Sequence, residues 1–178
     1  MEIIKMKKFQ YVTKMPYTPL PNNPRNHYFI TGAKSPCNRG NFLESAAKFQ
    51  RGLDYLANPN TAALKGYDIP SEKAEVKSAA GGLGRDIGDP DFSVSQQIRF
   101  YFAHKSADSK WIWMTYDDET HLVTEYHMSK REFGKFLHIS LRRKQHLQSN
   151  KKSINVRFKD SDTREMISWL ESQCVETA

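Results

Sequence analysis

Cysteine is scarce in this chain: Cys37 and Cys174 are the two it has, far apart and without partners at metal-ligand spacing. That excludes a disulfide framework and a zinc site of the paired-cysteine kind, and a reducing, cytoplasmic setting is the expectation. No apolar run approaches the roughly 20 residues of a membrane-spanning helix. Residues 1–8 lack the apolar core of a secretory signal. The histidines, at 27, 104, 121, 127, 138 and 146, form no HExxH or HNH-type cluster. His121 and His127 fall on one expected strand but about 20 Å apart along it, so they do not chelate jointly. The glycine-rich stretch 81–88 has neither the lysine of a Walker loop nor the intervals of a Rossmann fingerprint. No nucleotide cofactor is expected.

A hydrophobic content of 38% across 178 residues is enough for a folded globule with a real core. The net charge of +7 is unevenly spread. Residues 40–128 carry nine Lys/Arg against thirteen Asp/Glu, whereas residues 129–159 carry ten against one. Residues 1–39 add seven against one. Such clustering is the footprint of phosphate-backbone contact; a solubilising face is the blander reading. DNA is the expected partner, through Lys130, Arg142, Arg143 and Lys144, with RNA a weaker possibility.

Three regions follow. Residues 1–40, with Pro16, Pro19, Pro21, Pro24 and several asparagines, read as an irregular basic arm that wraps a partner subunit, tracks DNA or lies on the surface. Residues 41–128 read as the core. A helix capped by Asn41 runs to about Ala57, with Leu43, Ala46, Ala47, Leu53 and Ala57 as its stripe, widened by Phe42, Phe49 and Leu56. A second helix starts at Ser93 or Ser95. Lys110–Tyr116, a turn at Asp117–Thr120 and a return strand to Met128 form a hairpin. Trp111 and Trp113 share one face of it, as core against a helix or as a base-stacking platform. Residues 129–178 read as a basic helix–strand–helix extension, its first helix capped by Ser129. The order predicts an α/β or α+β fold with a mixed sheet flanked by helices.

The chemistry concentrates between Gly66 and Lys77. Asp68 precedes by seven residues a Glu75-Val76-Lys77 in an expected strand, with Pro70 closing the preceding segment and Ser71-Glu72-Lys73 turning the chain. Residues two apart on a strand face the same way, so Glu75 and Lys77 project together. Two carboxylates can hold a hard cation such as Mg²⁺, and an ammonium beside them can stabilise charge developing on a phosphate. An exposed polar face of an edge strand is the alternative. Glu44, near the start of the first helix, is either a further acid at this point or an ordinary first-turn carboxylate favoured by the helix dipole.

Asp68…Glu75-Val76-Lys77 resembles the signature of the PD-(D/E)XK (restriction-endonuclease-like) nuclease superfamily. The Arg39-Gly40-Asn41-Phe42-Leu43-Glu44 opening is similar to its archaeal resolvase branch. The resemblance covers roughly residues 39–128. It implies a restriction-endonuclease-like core and metal held by Asp68, Glu75 and the carbonyl of Val76, with catalysis by Glu44, Asp68, Glu75 and Lys77. It further implies Mg²⁺ (or Mn²⁺) as cofactor, 5′-phosphate products, and a supporting glutamine, for which Gln97 is the match. Arg85, in the glycine-rich stretch, would approach the DNA backbone, unless that stretch is a flexible connector. The implied function is site-specific DNA cleavage of restriction or homing type by a homodimer. A Holliday-junction resolvase and a non-catalytic DNA-binding protein are the alternatives.

Overall fold

The computed structural model describes residues 6–20, 27–56, 67–78, 83–86, 106–141, 153–156 and 160–176. In chain order the strands are β1 (Met6–Val12), β2 (Tyr17–Pro19), β3 (His27–Ile30), β4 (Cys37–Asn38), β5 (Ala74–Ser78), β6 (Leu83–Asp86), β7 (Lys110–Tyr116), β8 (Leu122–Ser129), β9 (Ser153–Val156) and β10 (Cys174–Glu176). The α-helices among these residues are α1 (Arg39–Gln50), α2 (Lys130–Leu141) and α3 (Asp160–Gln173). The fold is mixed α+β around a mixed five-stranded sheet of order β10-β1-β8-β7-β5. None of these helices is long and apolar enough to cross a membrane.

The β7–β8 hairpin forms where alternation predicts it. Trp113 pairs with Tyr126 and Met114 with Glu125. Asp117 closes the turn by accepting from the amides of Glu119 (2.8 Å) and Thr120 (3.2 Å). Strand alternation then sorts side chains between two layers. Val76, Ile112, Met114, Tyr116 and Val123 pack with Phe42, Leu43, Ala46 and Ala47 of α1. On the other face Trp111 stacks on Phe133 of α2 (4.7 Å between ring centroids), and Trp113 meets Phe136 edge-on at 4.8 Å. Met166 and Leu170 of α3 are fully buried, and Tyr126 donates to Glu171 of α3 at 2.6 Å. Each of these large buried side chains stabilises by about 1.5–3 kcal/mol. The tryptophans are core, and the stacking-platform alternative falls away.

The N-terminal region differs from the irregular arm expected for residues 1–40. Met6–Val12 is an inner strand, parallel to β10 and antiparallel to β8. β2, β3 and β4 form a separate antiparallel sheet. The strand partners of β1 lie more than a hundred residues away, so local sequence does not announce them. Pro19 sits in a strand with one neighbour, the position proline tolerates. The small sheet braces the start of α1, where Tyr28 stacks on Phe42 at 4.3 Å. The glycine-rich stretch also differs, because Leu83–Asp86 pairs with β9 as an antiparallel ribbon. The helix expected from Ser93 lies outside the described residues.

Helix α1 is shorter than its apolar pattern suggested. Its cap is Asn38, not Asn41: the Asn41 amide donates to Asn38 Oδ1 at 2.9 Å. It ends at a glycine stop. Gly52 adopts φ +69, its amide donates to the Phe49 carbonyl, and that of Leu53 to the Lys48 carbonyl, the two bonds of a Schellman motif. Leu53 and Leu56, expected in the stripe, are therefore exposed. Beyond the last turn, Arg51 grips the buried Glu125 of β8 through both terminal nitrogens (3.0 and 2.6 Å) and also pairs with Glu72. Tyr11 and His127 complete the shell around Glu125. That network fixes α1 across the sheet.

Candidate active site

Residues four apart on a helix share a face, so Gly40, Glu44 and Lys48 form one line along α1. That line runs beside β5, the edge strand of the central sheet. Lys48 is buried, and its Nζ donates to Glu44 Oε1 at 3.1 Å.

The segment before β5 turns tightly around Pro70–Glu72, with Lys73 in the left-handed region at φ +49. Ile69 and Ala74 exchange backbone hydrogen bonds of 3.1 and 3.2 Å. One residue earlier, Asp68 substitutes its side chain for backbone: the Val76 amide donates to Asp68 Oδ2 at 2.8 Å. Next to β5 the described residues give a single bridge, Ile69 with Ala74, and this carboxylate hook; the segment in which a strand leading to Asp68 would run lies outside the described residues. In a strand the N–H and C=O of one residue point to the same side. The Val76 carbonyl consequently emerges at the edge where Asp68 stands.

Glu75 is buried, and Lys77 Nζ lies 4.0 Å from Glu75 Oε2. Both follow β5 onto the face opposite Ala74, Val76 and Ser78. Around the edge, Glu44 senses Asp68 and Lys77. Burial pushes the Glu44 carboxyl up, the Asp68 charge adds to this, and Lys48 and Lys77 oppose it without cancelling it. The Asp68 charge is thus held close enough to disfavour ionisation of Glu44. Among the described residues no three His, Cys, Asp or Glu side chains stand as a ready metal cage.

Glu44, Asp68 and Lys77 therefore meet around the edge of β5, where the Val76 carbonyl emerges, while Glu75 lies beside Lys77 on the face turned away from α1. Lys130 stands apart from them. Lys130 opens α2 directly after Ser129, whose hydroxyl caps that helix by accepting from the Glu132 amide at 3.1 Å. Ser129 pairs with Lys110 and Lys110 with Ala74, so Lys130 lies beyond the Ala74 end of β5, about 10 Å by strand rise from the register of Lys77. Arg85 enters through its backbone, in β6. Gln97, Arg142, Arg143 and Lys144 lie outside the described residues.

Three features at this edge were not anticipated. Lys48 was legible as the i+4 partner of Glu44. Gly40, a glycine in a helix's first turn, and Ser78, next to Lys77, carried weaker signals. A second region, a cleft of about 1070 Å³ lined by residues 6–11, Arg51, Glu72, Lys110 and Glu125, lies between β1 and the end of α1. Several of its charges pair within it, Lys110 with Glu72 and Arg51 with Glu125, while Lys8 and Asp108 pair with Glu171 and Lys73 outside it. Comparison of the chain with family models, with curated proteins and with solved structures finds no match.

Proposed function

We propose that this chain is a metal-dependent DNA endonuclease with a restriction-endonuclease-like core, hydrolysing phosphodiester bonds at specific sites as a homodimer. The observation that supports the reading is Asp68, oriented by the Val76 amide at the edge of β5, with its charge and that of Lys77 acting on the buried Glu44 of α1. An exposed polar strand face gives no reason for carboxylates from two separate segments to converge on one lysine.

The donors fit a hard cation. Asp68, Glu75 and the Val76 carbonyl offer oxygens alone, and Mg²⁺ is usually held by one or two carboxylates while keeping several waters. Crowding of like charge between Glu44 and Asp68 is what a cation relieves. When bound, Mg²⁺ or Mn²⁺ would supply charge neutralisation at the attacked phosphate and a more acidic water. Lys77 would set its ammonium against the charge that develops there. Glu44 would stand as a further acid beside the reacting oxygens. The basic segment 129–159, with Arg85 and Gln97, would supply backbone contacts to DNA.

A substrate panel tests the assignment. Linear duplexes carrying randomised sites and an immobile four-way junction are incubated with the protein and Mg²⁺. Cutting of one duplex sequence supports the site-specific enzyme. Cutting of the junction regardless of sequence moves the assignment to a resolvase. Binding without cutting of either moves it to a non-catalytic DNA-binding protein.

A further inference from the structure

Gly40 is the second residue of α1, where alanine would serve the helix better than glycine. Its backbone is ordinarily helical, and a Cβ there would meet nothing closer than Asn38 Oδ1 at 3.6 Å and Ser78 Oγ at 3.8 Å. Neither conformation nor crowding therefore demands glycine. What glycine does is leave open the space between the helix's first turn and Ser78.

Ser78 is 6% exposed, and among the described residues its Oγ has no hydrogen-bond partner. A buried hydroxyl left unsatisfied is a standing cost, removed when an acceptor arrives. The first turn of a 12-residue helix supplies the other half of an anion site, with the positive end of the helix dipole and the first-turn amides left after Asn38 Oδ1 has taken that of Asn41. Gly40 and Ser78 lie at the C-terminal end of β5, one helical turn from Glu44 and one residue from Lys77.

We infer that the first turn of α1 and the Ser78 hydroxyl form a phosphate cradle beside the carboxylate–lysine edge. Its occupant would be a phosphate of the nucleic-acid strand adjoining the bond to be cut, so the source of the phosphate rests on the nuclease reading. The cradle itself is a phosphate-binding site whatever the strand does next.

The test uses inorganic phosphate in EDTA, titrated into ¹⁵N-labelled protein while the amides of Gly40, Asn41 and Ser78 are followed by NMR. The expected result is a saturable shift confined to these amides, weakened about tenfold in Ser78→Ala and in Gly40→Ala. Gly40→Ala carries a second readout: its helix gains alanine, so its melting temperature should rise while phosphate affinity falls. Unchanged phosphate affinity in both variants, or shifts that never saturate, would overturn the cradle. Plasmid cleavage by the wild type separates the two claims. No cutting with phosphate binding intact removes the nuclease and keeps the cradle. Cutting without phosphate binding does the reverse.

Discussion

The Val76 amide donates to the Asp68 carboxylate across eight residues of chain, at the edge of the central sheet. One carboxylate thereby does two things: it closes the sheet edge in place of a backbone carbonyl, and it brings negative charge up to Glu44. Asp68→Asn separates the two roles, since asparagine still offers an oxygen to Val76 but no charge. The fold should survive, and the Glu44 carboxyl should titrate lower than in the wild type because the neighbouring like charge has gone. Carboxyl ¹³C chemical shifts followed against pH measure this. An unmoved Glu44 titration would mean the two carboxylates do not share a site. Asp68→Ala removes the acceptor as well and should lose about 1 kcal/mol of stability.

Glu125 should make stability depend on acid. Burial alone would raise its pKa, but hydrogen bonds from His127 and Arg51, with the Arg51 charge, hold it at about 2. A carboxyl lowered from its ordinary 4.5 favours the folded state above that value, and the benefit fades as pH falls from 4.5 toward 2. Glu125→Gln should therefore lose on the order of 3 kcal/mol at pH 7. Its urea midpoint should approach that of the wild type as the solution is acidified. A constant difference between pH 7 and pH 3 would contradict the assignment.

The glycine stop of α1 offers a purely conformational test. A Cβ at Gly52 would meet nothing within 4 Å, while φ there is +69. Gly52→Ala should lose about 1 kcal/mol through backbone strain alone, read as a lower thermal midpoint. No loss would show that the helix does not end in this motif.

Much of the sheet was legible because its signals are local. Lys110–Tyr116 alternates, Asp117 provides turn chemistry, and Ser129 caps the helix that follows. The helix end was misjudged because apolar Leu53 and Leu56 continue the pattern past Gly52, and one glycine in the left-handed region outweighs them. Strand β1 was missed because Met6–Val12 has polar residues on both faces and pairs with strands near residues 125 and 175. The Arg51–Glu125 grip is invisible for the same reason. At the site, Glu75 and Lys77 follow from strand periodicity, whereas the approach of Glu44 and the Asp68 hook depend on how α1 and the Pro70 turn meet β5.

The most direct test of the nuclease assignment is supercoiled plasmid incubated with wild type and with Lys77→Ala, in Mg²⁺, Mn²⁺ or EDTA, with DNA binding measured in parallel. Metal-dependent nicking or linearisation by the wild type is the expected result. Lys77→Ala should bind equally well and cut at least about a hundredfold more slowly, the scale of losing one group that stabilises transition-state charge. Equal cutting by both proteins, or cutting that persists in EDTA, would contradict the account.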